Sequence, residues 1–314
     1  MERIAAGGRR HLGVAFAAAS ILAVLPATAA TTGPVGGDRP VEVVVPKGYD
    51  AAKPTPLVLL LHPYGGTGAS SDAGFGLRAL AAERGFLLAI PEGMVDRRGR
   101  PFWNATAGCC DFDGTKVDDS AHLRRVIEDV QARWNVDDRR IFTIGFSNGG
   151  FMSHRMACDH ADLIAGFVSI AGVMDADPKR CRPSEPVHVL QIHGTADDVI
   201  HFDGGSFTGP YPGAKETVRR WVEVDGCGEA KTQPPIDAHP GAPGNESKVT
   251  RWTEGCRPGG SVELWEMEGV GHSIPSRAVV KGRIGDWLLS HAKPAKPKPE
   301  PEPKSEPKSE PKPK

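Results

Sequence analysis

The sequence predicts an α/β fold, with a mostly parallel central sheet and helices on both faces of that sheet. Apolar runs at 57–61 and 86–90 show no polar alternation, which is typical of parallel strands buried on both faces. Segments with helical periodicity separate such runs along the chain. Once 29 residues at the start and 22 at the end are set aside as atypical, 263 remain, a length that one α/β domain fills.

Local patterns place each element in chain order. A β-branched run at 41–45 ends at Pro46, and the run at 86–90 ends at Pro91, so both are predicted strands. Asp118 suits the start of a helix over 118–133, because acidic side chains are favourable beside free backbone N–H groups. The remaining strands are predicted at 57–61, 141–145, 165–171, 187–192, 248–252 and 262–267, and the remaining helices at 76–84, 148–158, 214–224 and 278–290.

The two ends of the chain differ from its middle. Arg9 and Arg10 precede an apolar run at 12–25, and small residues then lead to Ala29, a pattern that predicts a secretory signal peptide. The run is too short for a good membrane-spanning helix, so we expect no stable membrane insertion after cleavage. The last 22 residues repeat Lys, Pro, Glu and Ser and predict a solvated, disordered tail. The predicted organisation is a signal peptide at 1–29, a lead-in at 30–40, one folded domain at 41–292 and the tail at 293–314.

Charge and cysteine content narrow the class of protein. The signal segment carries +2 and the tail +3 of a total net charge of −1, which leaves the domain near −6. An acidic domain repels phosphate backbones, so we expect no nucleic-acid partner. Six cysteines in an exported chain indicate disulfides, and no CxxC pair suits a structural zinc ion. The pairs that we favour are Cys227–Cys256 and Cys158–Cys181, with Cys109 and Cys110 either bonded to each other or reduced.

The segment Gly-Phe-Ser-Asn-Gly-Gly at 145–150 carries the chemistry. It follows a predicted strand and opens a predicted helix, which is the context of a G-x-S-x-G nucleophile elbow. Glycines two residues to either side of the serine leave room for its strained backbone, and the turn presents the hydroxyl beside free N–H groups at the helix start. Ser147 is therefore the candidate nucleophile of an α/β-hydrolase.

A serine nucleophile needs a base, and the base needs an orienting carboxylate. In α/β-hydrolases the chain order is serine, acid, histidine. Asp197 follows the predicted strand at 187–192, with Asp198 beside it as the alternative acid, and His272 lies in a glycine-rich loop after the strand at 262–267. The sequence thus predicts a triad of Ser147, Asp197 and His272.

An oxyanion hole needs two positioned donors. The first is predicted to be the backbone N–H of Asn148, directly after the nucleophile. The second is expected from the loop after an early strand, His-Pro-Tyr-Gly-Gly at 62–66. Because Pro63 has no N–H, the backbone N–H of Tyr64 is the candidate.

We expect neither a cofactor nor a metal ion. The histidines lack the H-E-x-x-H spacing of a zinc enzyme. The run Asp-Phe-Asp-Gly-Thr at 111–115 resembles half of a calcium loop but lacks its terminal glutamate, so it predicts a turn. His62 and His193 each end a predicted strand, where we expect them to order the neighbouring loop by hydrogen bonding.

Several segments occur together in the order of one family. They are LHPYGGTG at 61–68, WNATAGCC at 103–110, VDD at 117–119, GFSNGGFMSHRMAC at 145–158, IHGTADDVI at 192–200 and GVGHSIP at 269–275. From about Val41 to Trp287 the chain resembles the secreted polyhydroxybutyrate depolymerase-like esterases, a group that includes feruloyl and acetylxylan esterases. The resemblance implies an α/β-hydrolase catalytic domain at 41–292 and an ester substrate, polymeric or small.

The resemblance also assigns residues and leaves alternatives. Ser147, Asp197 and His272 fill the family's triad positions and Tyr64 its oxyanion position. Ile274 stands where many members have tryptophan, and it is expected to border the acyl site. Trp103 and Phe146 are further candidates for an apolar pocket.

Two alternative functions remain besides that of an esterase. One is a secreted peptidase of the same fold and the other is an inactive binding protein. The sequence leaves the oligomeric state open.

Overall fold

The computed structural model describes residues 34–295, and all the elements of the fold lie within that range. The predicted signal peptide and the tail beyond Ala295 lie outside the described residues. Lys293, which we assign to the tail from the sequence, is only 5% exposed, and its backbone N–H donates to Arg139 O over 2.9 Å. Its ammonium group lies 2.6 Å from Glu185 Oε2. The packed structure therefore continues past the predicted boundary at residue 292.

The fold consists of strands and helices that alternate through most of the chain. Its strands are β1 (Glu42–Val44), β2 (Thr55–Leu61), β3 (Leu87–Ile90), β4 (Met94–Val95), β5 (Pro101–Phe102), β6 (Val136–Phe146), β7 (Gly166–Ile170), β8 (His188–Gly194), β9 (Gly204–Ser206), β10 (Pro210–Pro212), β11 (Lys231–Ile236), β12 (Ser247–Trp252) and β13 (Ser261–Met267). Its helices are α1 (Gly68–Phe75), α2 (Leu77–Arg84), α3 (Asp119–Gln131), α4 (Asn148–Asp159), α5 (Ala214–Asp225), α6 (Arg277–Val279) and α7 (Gly285–Ser290), with a 3₁₀ turn at Pro178–Arg180 and a π turn at Val280–Ile284.

Among the described residues, nine strands form the central sheet in the order β1-β3-β2-β6-β7-β8-β13-β12-β11. The six strands from β3 to β13 pair in parallel. β1 adds to one edge antiparallel, as do β12 and β11 at the other. The predicted fold class is confirmed.

Both faces of the sheet are covered, as the continuous apolar runs predict. Leu57 and Leu59 of β2 join the core that α3, α4 and α5 cover, whereas Val58 and Leu60 join the core on the opposite face. Successive side chains of a strand point to opposite faces, so a strand without polar residues requires helices on both sides.

Some elements differ from the sequence predictions. The predicted helix at 76–84 begins one residue later because Gly76 is left-handed (φ 74°) and ends α1. α1 itself was not predicted, since its sequence favours turns; Thr67 and Ser70 stabilise it by a capping box. The predicted helix at 278–290 is interrupted by the π turn, which contains Gly282 and lies directly before Gly285, residues that weaken a regular helix. β11, with two consecutive prolines, is an edge strand and was also missed.

The parallel strands bring four loops to one edge of the sheet. These loops follow β2, β6, β8 and β13, and they contain Tyr64, Ser147, Asp197 and His272 respectively. Ligands of open α/β sheets bind at this carboxyl edge.

Candidate active site

Ser147 lies on the sharp turn between β6 and α4. Its backbone adopts φ 55° and ψ −120°, a strained conformation for a residue with a side chain, and its N–H donates to Ile170 O over 2.8 Å. A Cβ atom at Gly145 would overlap Gly149 O, and one at Gly149 would overlap Leu61 O. The flanking glycines are thus required by close backbone packing, as the elbow predicts.

Asp197 and His272 are in direct contact. His272 Nδ1 lies 2.7 Å from Asp197 Oδ2, and the Asp197 side chain is fully buried. The carboxylate accepts a hydrogen bond from the Nδ1–H group, which leaves Nε2 of the same imidazole free to face another group. The His272 ring packs against Phe146, the residue before Ser147, with ring centroids 4.7 Å apart. Asp198, the alternative acid, is exposed.

A second histidine also contacts Asp197. His193 Nε2 lies 3.4 Å from Asp197 Oδ2 and donates to Ile200 O over 2.7 Å. The other oxygen of Asp197 accepts from the N–H groups of Val199 and Ile200. Burial favours the neutral carboxyl, but the contacts with His193 and His272 outweigh it and hold the pKa of Asp197 well below its usual range. The carboxylate therefore stays ionised beside His272.

A buried chain of hydrogen bonds leads from His193 into the core. Gln191 Nε2 lies 3.4 Å from His193 Nδ1, and Gln191 Oε1 lies 2.9 Å from His154 Nε2. Trp221 Nε1 donates to His154 Nδ1 over 3.0 Å. Burial lowers the pKa of His154 to about 3, so this imidazole is neutral and carries its proton on Nε2. Sequence reasoning missed this chain, although a Gln within an apolar strand and a His within a buried helix are its signals.

The loop that contains Tyr64 is fixed at several points. Gly65 N–H donates to Pro101 O over 2.8 Å, and Tyr64 Oη donates to Asp96 Oδ2 over 2.5 Å. His62, at the end of β2, accepts from Gly93 N–H at Nε2 and contacts Pro63 O through Nδ1, each over 2.9 Å. Burial lowers the pKa of His62 to about 4, which keeps it neutral for both contacts. The predicted role of His62 in ordering this loop matches its hydrogen bonds.

Asn148 is the first residue of α4, so its N–H has no acceptor within the helix. Its side chain is fully buried and forms two hydrogen bonds with the backbone of Trp103. Trp103 N–H donates to Asn148 Oδ1 over 2.7 Å, and Asn148 Nδ2 donates to Trp103 O over 2.9 Å. The Trp103 indole in turn donates to His62 O over 3.0 Å. The segment around Trp103 thus links the two loops that carry the candidate oxyanion donors.

Comparison with known proteins places this arrangement in a family. The sequence profile described as phospholipase/carboxylesterase matches residues 42–214, more than half of the chain. The chain belongs to the phospholipase/carboxylesterase family. The matched range includes Ser147 and Asp197, whereas His272 lies beyond it.

Two curated relatives are similar to this chain over most of its length. Feruloyl esterase B of Piromyces equi is 30% identical over 245 residues, which are 75% of this chain and 42% of that protein. NocK of Nocardia uniformis subsp. tsuyamanensis, which bears a provisional esterase name, is 31% identical over 233 residues, 70% of this chain and 65% of that one. The chain thus spans less than two thirds of the length of either relative. The predicted resemblance to feruloyl esterases is confirmed.

Solved structures agree on the fold of the family member. Acetyl xylan esterase from Aspergillus awamori superposes with a TM-score of 0.57 at 17% identity, covering 81% of this chain and 96% of that one. At this identity the likeness shows the α/β-hydrolase fold alone.

The three predicted pocket residues occupy different environments. Trp103 has no exposed surface, so its predicted place in an open pocket is wrong; its side chain instead holds the loop at His62. Phe146 is half-buried and lies against His272. Ile274 is half-buried and packs against Gly74 in α1, where a Cβ atom added to the glycine would lie 3.1 Å from Ile274 Cδ1.

The cysteines of this family member form three disulfides. The bonded pairs are Cys158–Cys181, Cys227–Cys256 and the adjacent pair Cys109–Cys110. The first two pairs are those that the sequence favours, and the third resolves the alternative left open for Cys109 and Cys110. No cysteine within residues 34–295 is free.

Neither a metal site nor a membrane-spanning helix is present among residues 34–295. No group of three or more acidic, histidine or cysteine side chains capable of holding a metal ion occurs among residues 34–295. Asp111 instead accepts from the N–H groups of Thr115 and Lys116, which makes the calcium-like run a turn. Over the described residues no helix is long and apolar enough to cross a membrane.

Proposed function

We propose that the protein is a serine carboxylic-ester hydrolase that works through an acyl-enzyme. The observation that carries this proposal is the 2.7 Å contact between His272 Nδ1 and Asp197, on a ring that packs against the residue preceding Ser147. With Nδ1 engaged, Nε2 is the nitrogen that remains for the serine hydroxyl.

The proposed reaction has two halves. His272 accepts the Ser147 proton while Ser147 Oγ attacks the ester carbonyl, and the same imidazole then donates that proton to the departing alcohol. Water enters, His272 removes its proton, and the resulting attack on the acyl-enzyme releases the acid and restores Ser147. Asp197 keeps the imidazole in the required tautomer and stabilises its charged form.

The negative charge that develops on the carbonyl oxygen needs two donors. The N–H of Asn148 is unused by its own helix, and the N–H of Tyr64 makes no hydrogen bond to the part of the chain that the structure describes. Each donor of such a hole contributes about 10²–10³-fold to kcat in other hydrolases.

The substrate class is proposed from the relatives together with the sequence. The names of the relatives point to feruloyl and acetyl esters of plant polysaccharides, and the motifs extend the proposal to polyhydroxybutyrate-type polyesters and their oligomers. Three disulfides and the predicted signal peptide support action outside the cell.

The deciding experiment is the turnover of short p-nitrophenyl esters, methyl ferulate, acetylated xylan and hydroxybutyrate oligomers by the wild type and by Ser147→Ala. We expect the variant to lose at least three orders of magnitude in kcat. Ser184→Ala, an exposed serine, is the matched control and should retain full activity. Unchanged turnover by Ser147→Ala would overturn the proposal. Cleavage of peptides in preference to esters would favour a peptidase, and failure of a fluorophosphonate probe to label Ser147 would favour an inactive binding protein.

A further inference from the structure

Two phenylalanine side chains stand out by their exposure. Of the ten phenylalanines in residues 34–295, seven are buried and Phe146 is half-buried. Phe112 and Phe207 are 43% and 45% exposed. Leaving two large rings in water is unfavourable for the free protein, and it provides a small apolar surface that a ligand can cover.

The two rings touch each other and touch the candidate oxyanion loop. The Phe112 and Phe207 centroids are 5.4 Å apart in an edge-to-face arrangement, and the Phe112 and Tyr64 centroids are 5.0 Å apart. We call these three side chains the aromatic platform. It therefore begins at the residue whose backbone N–H is proposed to hold the reacting carbonyl.

The loops that present the platform are fixed. Thr208, next to Phe207, donates through its N–H to Gly108 O over 3.2 Å and through Oγ1 to Ala107 O over 2.8 Å. The Cys109–Cys110 disulfide lies between those acceptors and Phe112. Tyr64 is held by its hydrogen bond to Asp96, with the Arg100 guanidinium 5.7 Å from its ring centroid. A ligand would thus meet rings whose positions are set in advance, which lowers the entropy cost of binding.

We propose that the aromatic platform binds an aromatic ring of the ester substrate, so that Phe112 and Phe207 select aryl-bearing esters over esters of small aliphatic acids. This inference rests on the proposed function and deepens it. Edge-to-face rings offer both faces and edges to a further ring, which is the geometry that aromatic pairs prefer. The surface area that two half-exposed rings offer is far smaller than the roughly 800 Å² that each partner buries in a stable protein interface. The occupant is therefore a small group. Because the platform adjoins Tyr64, that group belongs to the molecule whose carbonyl reacts.

The test compares two methyl esters, of which one carries an aromatic ring and the other has none. KM and kcat are measured for methyl ferulate and for methyl butyrate with the wild type, Phe112→Ala, Phe207→Ala and the double variant. We expect the double variant to raise KM for methyl ferulate about tenfold, with kcat little changed and KM for methyl butyrate within about twofold. Phe112→Leu retains apolar area without the ring and should give a smaller rise. Val45→Ala, which truncates an exposed apolar residue on another edge of the sheet, is the control and should change neither constant.

A binding measurement separates this inference from the proposed function. In the Ser147→Ala background, the Kd for methyl ferulate should rise about tenfold when Phe112 and Phe207 are both replaced by alanine. If the wild type hydrolyses no ester, the proposed function fails and this titration still tests the platform. Equal effects on both esters, no effect on either, or an effect confined to methyl butyrate would overturn the inference. Thermal unfolding of each variant establishes that the fold is intact.

Discussion

The side-chain amide of Asn148 pairs with both backbone polar groups of Trp103, accepting from its N–H over 2.7 Å and donating to its C=O over 2.9 Å. Asn148 therefore has two proposed contributions: its own N–H in the oxyanion hole and its side chain on the segment behind that hole. The Trp103 indole extends the connection to His62 O, at the start of the loop that carries Tyr64. The two proposed donors are thus positioned by one shared segment.

Asn148→Ala should reduce both stability and kcat. The substitution leaves the buried N–H and C=O of Trp103 unpaired, which costs about 1–3 kcal/mol for each group. Because the backbone of the helix start is then less constrained, we expect kcat to fall about 10–100-fold with KM changed much less. Steady-state kinetics on a p-nitrophenyl ester and chemical denaturation measure the two effects.

Asn135→Ala is the matched control for this change. Its amide also donates to a backbone carbonyl, Ala51 O, in the segment between β1 and β2, at the opposite end of β6 from Ser147. The control should alter stability modestly and leave kcat unchanged. A loss in kcat no greater for Asn148→Ala than for Asn135→Ala would contradict the positioning role of Asn148.

His193→Phe tests the second histidine at Asp197. The change removes the polar contact at 3.4 Å and the hydrogen bond to Ile200 O, while a ring still fills the buried space. With one contact fewer, the negative charge of Asp197 is less offset and stabilises the protonated form of the His272 imidazole more strongly. The acid limb of the kcat/KM against pH profile should therefore move to higher pH. We expect kcat/KM at neutral pH to fall about tenfold.

His201→Ala, an exposed histidine in the same loop region, serves as the control for this profile and should leave it unchanged. An unaltered acid limb in His193→Phe, together with retained activity, would mean that His193 only orders the loop.

Those parts of the fold could be predicted from sequence whose secondary structure is indicated by the residues of the element itself. The apolar runs of β2 and β3 are short and continuous, which favours strands buried on both faces, and the elbow at Ser147 requires a strand before it and a helix after it. α1 escaped prediction because Thr67 and Ser70 stabilise it through two side-chain bonds, against a composition that favours turns. The β4–β5 and β9–β10 hairpins have strands of two or three residues, too short for any periodicity to show.

In the candidate site, too, the residues with a local sequence pattern could be predicted and the contacts between distant segments could not. Ser147, Asp197 and His272 are identifiable because each lies in a local motif. The pairing of Asn148 with Trp103 and of His193 with Asp197 depends on which loops meet at the sheet edge, which no local pattern records. The sequence favours a pocket position for Trp103 because aromatic residues near a site often line it, whereas the structure buries this side chain completely.

Asp225, the last residue of α5, should make stability depend on pH. Its side chain is buried; Oδ1 accepts from Val187 N–H over 3.2 Å, and Oδ2 has no hydrogen-bond partner within the described chain. Burial raises the pKa of Asp225 to about 7, although the contact with Val187 and the charge of Arg257 oppose this. The unfolded chain has the ordinary pKa of about 4 for this group.

The sign of the effect follows from which state holds the proton. Between about pH 4 and pH 7 the folded protein retains a proton on Asp225 that the unfolded chain has lost, so this residue's contribution to stability falls as the pH rises through that interval. Asp225→Asn keeps the group neutral at every pH. Relative to the wild type it should therefore gain about 4 kcal/mol between pH 4 and pH 8, measured by urea denaturation at each pH. Asp237→Asn, at an exposed position, should show no such gain. A constant difference between Asp225→Asn and the wild type across this range would mean that the buried carboxyl is ionised throughout.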